Sequence, residues 1–248
     1  MSKIVAGKIA FVTGAGSGIG KATCRILARE GAKVIATDKN LKAAEQTASF
    51  LEGSGHLAME IDVSNTESIE NAFKKCVNHF SKPPTVVVNS AGITRDNFLL
   101  KMNVDDFDEV LKVNLKGTFS TCKIAANQMI EAGVSNGASI INISSIIGKI
   151  GNMGQCNYAA SKAGVVALTR TAAMEFGMFG IRVNAILPAF IETPMIASVP
   201  DKVKEMFIGM IPLKRTGKPE EVGEVITFLA SDRSSYVNGT SIEVTGGL

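Results

Sequence analysis

A glycine-rich turn near the N-terminus constrains the fold more than any other stretch of the chain. The apolar run 8–13 leads into Gly-Ala-Gly-Ser-Gly-Ile-Gly at residues 14–20. Residues 21–30 then place apolar side chains at helical spacing and stop before Gly31. Glycines between a strand and a helix let the backbone turn tightly and approach a pyrophosphate, which amides at the helix start can hold. The segment predicts a dinucleotide-binding turn, although an ordinary strand–helix turn shares these elements.

The same alternation of strand and helix continues along the chain. After the first strand, further strands are predicted at 33–37, 56–61, 85–89, 138–143, 181–187 and 241–244. Helices are predicted at 21–30, 41–51, 64–80, 105–131, 158–177 and 219–230. We therefore predict a single α/β domain over residues 1–248, with a Rossmann-like, doubly wound sheet of seven parallel strands flanked by helices.

Composition narrows the class of protein. The 248 residues are enough for one large core, and the net charge of +3 is spread along the chain without a basic run, which argues against nucleic acid. No apolar stretch approaches the ~18–20 residues that span a bilayer, so no membrane partner is expected. We predict no metal site and a reducing compartment, because His56 and His79 lack a partner motif and the cysteines lack metal or redox spacing (Cys24, Cys76, Cys122 and Cys156).

Several candidate site residues fall at the ends of predicted strands. In open parallel sheets ligands bind beyond the carboxyl ends of the strands. Five residues occupy such positions: Gly14, Asp38, Asn89, Ser145 and Pro188. Their convergence predicts one crevice and carries more weight than any single motif.

An acidic residue ends the second strand. Asp38 lies eighteen residues after Gly20 and is placed to accept the ribose hydroxyls of an adenosine. Its charge would repel a 2′-phosphate, so NAD (NADH/NAD⁺) is favoured over NADP, although Lys39 would soften that repulsion. Asp38 could instead cap the next helix, but Asn40 is better placed for capping. Asp62 is a candidate for the adenine amino group, with a turn or cap role as its alternative.

A tyrosine and a lysine four residues apart are the candidate catalytic pair. On a helix Tyr158 and Lys162 share a face, and an ammonium near a phenol is expected to lower the phenol pKa. Ser145, at the end of a predicted strand, would place a hydroxyl beside the phenol. On helix 105–131 we predict that four apolar side chains face inward: Val110, Val113, Leu115 and Phe119. Asn114 lies in the middle of this face, where a buried amide lowers stability unless it has hydrogen-bond partners. The alternatives are a solvated helix face for the pair and a satisfied packing group for the asparagine.

Residues 190–216 are irregular and rich in methionine and isoleucine, so we predict a lid over an apolar substrate. Ordinary core packing is the alternative for its methionines. The predicted substrate contacts are Ser145, Tyr158, Met195, Met206 and Met210.

The motifs resemble the short-chain dehydrogenase/reductase family from end to end. Residues 13–20 are similar to its cofactor motif, and Asn114, Ser145, Tyr158 and Lys162 match its catalytic tetrad. Stretches 152–164, 190–194 and 229–247 resemble the 3-oxoacyl-[acyl-carrier-protein] reductases. Other segments, 82–88 and 144–152, resemble the 17-beta-hydroxysteroid dehydrogenases of type 8.

The resemblance implies NADH-dependent reduction of a 3-oxoacyl thioester, linked to acyl carrier protein or coenzyme A, in fatty acid synthesis. It also implies a mitochondrial matrix location, with the cytoplasm as alternative, and a homotetramer or a heterotetramer with a related subunit. A hydroxysteroid (estradiol) or general alcohol dehydrogenase and a non-catalytic NAD(H)-binding subunit are the alternative functions.

The predicted cofactor contacts extend over six segments of the chain. They are Gly14, Ser17, Gly18, Ile19, Gly20, Asp38, Asp62, Val63, Asn89, Ala91, Gly92, Tyr158, Lys162, Pro188, Ile191 and Thr193.

Three departures from the family pattern have structural consequences. Ser90 replaces an asparagine and can still form a hydrogen bond. Ala189 replaces a glycine, which fits without strain only if its φ is negative. Asn136 and Phe179 stand where the bacterial reductases carry arginines that dock the acidic carrier protein, so the resemblance does not imply docking by this chain alone.

Overall fold

Seven parallel strands form one sheet in the computed structural model, which describes residues 3–197 and 199–248. The strands are β1 (Ile9–Thr13), β2 (Lys33–Asp38), β3 (Leu57–Glu60), β4 (Val86–Asn89), β5 (Ser139–Ile143), β6 (Arg182–Pro188) and β7 (Ser241–Val244). They lie in the order β3-β2-β1-β4-β5-β6-β7, with every pair parallel. The chain therefore reverses its winding between β1 and β4, which is where such sheets open a crevice.

Helices connect these strands. They are α1 (Gly18–Arg29), α2 (Leu41–Ser49), α3 (Thr66–Phe80), α4 (Val104–Leu111), α5 (Gly117–Glu131), α6 (Ile147–Ile150), α7 (Cys156–Gly177), α8 (Pro194–Ala197), α9 (Asp201–Met210) and α10 (Pro219–Ala230). The predicted class and strand count are confirmed, and the boundaries of the predicted elements differ by at most three residues. No helix in the described ranges is long and apolar enough to span a bilayer.

Two apolar layers cover the sheet, one on each face. Alternate residues of β1 point to opposite sides, so Val12 packs with α1 and α10 while Phe11 packs with α3, α5 and α7. The Phe11 ring stacks on Phe73 of α3 at 4.5 Å between centroids. The apolar side chains of both layers are buried over the centre of the sheet, and polar groups lie along its carboxyl edge.

The helix predicted at 105–131 contains a π-helical turn at Lys112–Lys116, between α4 and α5. A π turn adds one residue, so the face presented after it rotates by about 100°. Val110, before the turn, is buried as predicted. Phe119, predicted to face inward, is 48% exposed. The prediction for Phe119 was wrong, since even in a regular α-helix of about 3.6 residues per turn this residue lies on the face opposite Val110.

The segment after β6 also has more structure than predicted. Residues 190–216 were expected to be irregular, but α8 and the ten-residue helix α9 lie within them. The left-handed non-glycine residues in the described part of the chain are Ser81 and Lys214. Ala189 thus has an ordinary backbone conformation, and its N–H donates to the Val244 carbonyl at 3.2 Å.

Candidate functional site

The glycine turn packs tightly against its neighbours. Gly14 has φ +66°, and a Cβ there would come within 2.9 Å of the Ala91 backbone. A Cβ on Gly20 would overlap the Gly14 carbonyl. Helix α1 begins at Gly18, three residues earlier than predicted, and no side chain caps its start at Ser17. Its first amides therefore remain available to an anion such as a pyrophosphate.

Asp38 faces this turn from the end of β2. Its carboxylate accepts hydrogen bonds from the Gly16 N–H and the Asn40 N–H, both at 2.9 Å. Asn40 caps α2 by accepting from the Ala43 N–H, so the capping alternative for Asp38 does not apply. Asp38 is thereby held at the crevice, where an adenosine ribose would lie.

Lys39 and Asp62 form an ion pair beside the same crevice, with 3.0 Å between nitrogen and oxygen. Asp62 also accepts from the backbone and hydroxyl of Ser64. Burial raises the pKa of Asp62, but the hydrogen bonds from Ser64 and Lys39 outweigh burial and hold it below its usual value. Asp62 therefore lines the crevice as an ionised group, and Lys39 is already engaged.

Asn89 does not line the crevice, contrary to its prediction as a cofactor contact. Its side chain is 4% exposed and donates to Asn142 at 2.8 Å and to Cys122 at 3.3 Å. As the last residue of β4, Asn89 was assigned to the crevice by position alone. The alternation of side chains along the strand directs it into the sheet–helix interface instead.

Ser145, Tyr158 and Lys162 lie together at the carboxyl end of β5. The Ser145 hydroxyl and the Tyr158 phenol line the same two cavities, and Ser145 lowers the pKa of the phenol. The Lys162 ammonium is 5.6 Å from the centre of the Tyr158 ring and donates to the Ile143 carbonyl at 2.8 Å. Ser144 ties α7 to β5 by donating to the Lys162 carbonyl at 2.8 Å. Strand and helix thus hold a hydroxyl, a phenol and an ammonium in one cluster.

The expected depression of the phenol pKa by Lys162 was wrong for this protein. Burial raises the pKa of Tyr158 to about 12, and the Ser145 hydrogen bond only partly opposes it. Burial also lowers the pKa of Lys162 to about 8. Spacing on a helix predicted proximity, but it could not reveal that burial is the largest cause of the pKa shift of each group.

Asn114 sits in the π turn and is fully buried. Its amide nitrogen donates to the Ile93 carbonyl at 3.0 Å and to the Ser161 hydroxyl at 3.1 Å, and its side-chain oxygen accepts from the Ile93 N–H at 2.8 Å. One amide hydrogen therefore fastens the loop after β4, and the other joins the π turn to α7.

Two cavities meet at the cluster. The first, of about 490 Å³, is lined by every residue predicted to contact the cofactor except Asn89. The second, of about 380 Å³, is mostly apolar and includes Ile147, Phe190 and Phe207. Five residues line both: Ser145, Tyr158, Ala189, Met195 and Ile196. We call them the nucleotide cavity and the substrate cavity.

The predicted substrate contacts are only partly borne out by position. Met195 lines both cavities. Met206 and Met210 line neither and are 56% and 51% exposed. Val203 and Phe207, one turn apart on α9, face the substrate cavity instead. Because this segment was taken as irregular, the faces of α9 could not be assigned from sequence.

The nucleotide cavity fits a nicotinamide dinucleotide. Its glycines leave room that a Cβ would fill, α1 offers uncapped amides, and Asp38 faces them. The family model described as enoyl-(acyl carrier protein) reductase matches residues 14–248. The chain belongs to the short-chain dehydrogenase/reductase family. As such it is an oxidoreductase that interconverts hydroxyl and oxo groups with a nicotinamide cofactor.

Short-chain dehydrogenases/reductases of known name resemble the chain over nearly its whole length. The (3R)-3-hydroxyacyl-CoA dehydrogenase of Homo sapiens is 53% identical, covering 97% of this chain and 95% of that protein. The 3-oxoacyl-[acyl-carrier-protein] reductase FabG of Thermotoga maritima is 47% identical, covering 98% of each.

A solved structure named ribose-5-phosphate isomerase from Brucella melitensis has the same short-chain dehydrogenase/reductase fold. It has a TM-score of 0.90 at 30% identity and covers all of this chain and 94% of that one. Since its name denotes an isomerase, this likeness supports the fold and not the reaction.

The sequence did not identify a set of polar residues that line the substrate cavity. Thr94, Asp96, Asn152 and Gln155 line one side of it. Gln155 donates to the Asp96 carboxylate at 2.9 Å, and burial raises the pKa of Asp96 despite that bond. No strand-end or helix-spacing signal marks these residues, because they lie in two loops that approach each other only in the folded chain.

Proposed function

We propose that this protein uses NADH to reduce 3-oxoacyl thioesters to 3-hydroxyacyl thioesters in fatty acid synthesis. The observation that carries the proposal is the meeting of a polar nucleotide cavity and an apolar substrate cavity at Ser145 and Tyr158. An apolar cavity suits an acyl chain, and the cluster suits a polar oxo group. One relative is named for the hydroxyacyl compound, as a 3-hydroxyacyl-CoA dehydrogenase, and another for the oxoacyl compound, as a 3-oxoacyl-[acyl-carrier-protein] reductase. These two compound types are the product and the substrate of the proposed reduction.

The chemistry follows from the residues at the junction. When bound, a reduced nicotinamide supplies the hydride. Tyr158 is protonated at neutral pH and donates its phenolic proton to the substrate oxygen. Ser145 donates a hydrogen bond to the same oxygen and stabilises the negative charge that develops there. Lys162 places a cation beside the phenol as the proton leaves, and it is positioned in advance by the Ile143 carbonyl.

Coenzyme choice rests on Asp38 and its surroundings. A carboxylate that faces the glycine turn accepts ribose hydroxyls and repels a 2′-phosphate. Lys39, the nearby cation that would offset this repulsion, is paired with Asp62. These contacts favour NADH over NADPH.

Replacing Asp38 with alanine is expected to shift coenzyme preference. The variant loses the ribose acceptor and the repulsion together, so the ratio of kcat/KM for NADH to that for NADPH should fall about 10- to 100-fold, the equivalent of about 1.4–2.8 kcal/mol. Steady-state kinetics with both coenzymes measure it. Asp108→Ala, at an exposed position on α4, is the control. An unchanged ratio in Asp38→Ala would remove Asp38 from the coenzyme site.

The substrate is tested by assaying two reactions side by side. NADH oxidation with acetoacetyl-CoA should proceed with a kcat/KM at least about 100-fold above that for NAD⁺ reduction with estradiol. Activity with estradiol alone would favour the hydroxysteroid dehydrogenase alternative. Tight NADH binding without turnover of either compound would favour the non-catalytic subunit. Each assay is run with purified protein alone and with a candidate partner subunit.

Residues 190–216 serve as the lid in this proposal. The Phe190 and Phe207 rings stack at 5.3 Å between centroids and join α9 to the strand end that carries the cavity. Phe207 and Val203 form an apolar wall, while the outer face of α9 remains exposed. The helix can therefore contact an acyl chain without being part of the sheet core.

Assembly with other subunits belongs to the same proposal. Exposed apolar side chains on α5 and α7 offer a surface for a homotetramer or a heterotetramer, with Phe119 48% and Met174 71% exposed. Asn136 lies against Gly180, next to Phe179, so the two neutral positions form one surface without a positive charge of their own. A basic partner subunit would supply the charge that attracts an acidic carrier protein. The mitochondrial matrix remains the proposed location.

A further inference from the structure

The substrate cavity has one charged side chain among its lining residues in the described part of the chain, Asp96. The walls are otherwise mostly apolar, and the polar rim contributes the neutral side chains of Thr94, Asn152 and Gln155. Ser145 and Tyr158 lie where this cavity joins the nucleotide cavity. A substrate that reaches Tyr158 through the cavity therefore passes the Asp96 carboxylate.

Backbone contacts on both sides of Asp96 fix its position. The Arg95 carbonyl accepts from the buried Asn157 amide at 2.8 Å, and the Asn97 N–H donates to the Gly154 carbonyl at 2.9 Å. The loop that carries the carboxylate is thus fastened to the start of α7, the helix of Tyr158. Asp96 is held at a set place relative to the phenol.

The charge of Asp96 is not compensated by its neighbours. Its hydrogen-bond partner is the neutral amide of Gln155, which is itself oriented by Asn152 at 2.9 Å. The adjacent Arg95 guanidinium is committed to Glu109, with bonds of 2.9 and 3.0 Å. Burial is the main cause of the raised pKa of Tyr158, and the negative charge of Asp96 adds to it. The field of this carboxylate reaches the reacting phenol.

We propose that Asp96 is a charge filter that admits neutral 3-oxo thioesters and esters and disfavours free 3-oxo carboxylates. In a 3-oxo acid the carboxylate carbon is two bonds from the oxo carbon, so docking the oxo oxygen on Tyr158 brings a second negative charge into the same cavity. A thioester at that carbon is neutral, and the phosphates of coenzyme A or a carrier lie beyond the pantetheine arm. This inference rests on the proposed function and names the form of substrate that the site selects.

The test compares two substrates that differ in charge at one position. Wild type, Asp96→Asn and Asp108→Asn are assayed with NADH and acetoacetate or ethyl acetoacetate. Relative to ethyl acetoacetate, kcat/KM for acetoacetate should rise about fivefold in Asp96→Asn, a modest effect because Asp96 is exposed enough for solvent to screen it. Asp108→Asn removes the same charge at an exposed position on α4 and should leave the ratio unchanged. Raising the salt concentration should bring wild type toward Asp96→Asn.

The outcomes separate this inference from the proposed function. Acetoacetyl-CoA is included with all three proteins. If wild type reduces acetoacetyl-CoA and ethyl acetoacetate but Asp96→Asn keeps the wild-type substrate ratio, the filter is refuted and the proposed function stands. If none of the 3-oxo compounds is reduced, both fall. A fivefold change that also occurs in Asp108→Asn would refute a local filter, since net charge alone would then explain it.

Discussion

Tyr158→Phe is expected to lower kcat by about 10³-fold while leaving the dissociation constant for NADH within about twofold. General acid catalysis by a positioned side chain contributes about 10²–10⁴-fold. The phenol is the acid at the junction of the two cavities, and Ser145 cannot replace it because an aliphatic hydroxyl is a much weaker acid than a phenol. The nucleotide cavity keeps its glycine turn and Asp38, so coenzyme binding should survive.

The chain provides its own control, since it has two tyrosines. Tyr236 is fully exposed and lines neither cavity, so Tyr236→Phe should have wild-type kinetics. Single-turnover kinetics with acetoacetyl-CoA give the chemical step, and fluorescence titration gives NADH affinity. A Tyr158→Phe variant with normal turnover would show that another group supplies the proton.

Lys162→Met should lower kcat/KM by at least about 100-fold and also change how stability depends on pH. The activity falls because the cation beside the phenol is lost as the proton leaves. The stability effect has a different origin. The folded protein releases the Lys162 proton near pH 8, whereas the unfolded chain holds it to its ordinary value of 10.5. Between these values the unfolded state binds more protons, so stability rises with pH.

The free energy of unfolding of wild type minus that of Lys162→Met should therefore rise by about 2 kcal/mol from pH 8 to pH 10, since each unit of pKa shift is worth about 1.4 kcal/mol. Urea denaturation at several pH values measures it. Taking the difference between the two proteins cancels the titration of the buried cysteines. Lys75→Met, at an exposed position on α3, should show no such rise. A flat difference for Lys162→Met would mean that the ammonium is not desolvated in the native protein.

Much of the fold could be predicted because local signals agreed with one another. The apolar runs of β1 and β4, the glycines of the turn and the alternation with helices each point to a parallel sheet. The π turn at Lys112–Lys116 could not be predicted, because one extra residue leaves the sequence amphipathic on both sides of it. The helix α9 was missed because prolines and methionines around it weaken the helical period.

The positions of the candidate site residues could be predicted from the sequence, but their pKa values could not. Strand ends and helical spacing brought Ser145, Tyr158 and Lys162 to one place, since these follow from geometry. The pKa values of Tyr158 and Lys162 depend on burial by the whole chain, which no local pattern reports. Asn89 shows the same limit, because the strand end was located correctly while the direction of its side chain was not.

The amide of Asn114 has a mechanical consequence for this enzyme. The Asn114 side chain accepts a hydrogen bond from the Ile93 N–H and donates to the Ile93 carbonyl and to the Ser161 hydroxyl on α7. A displacement of the π turn is therefore transmitted both to the loop after β4 and to the helix that carries Tyr158. Helix α5 continues from this turn and presents exposed apolar side chains. A neighbouring subunit that packs against α5 would therefore change the position of Tyr158 without contacting either cavity.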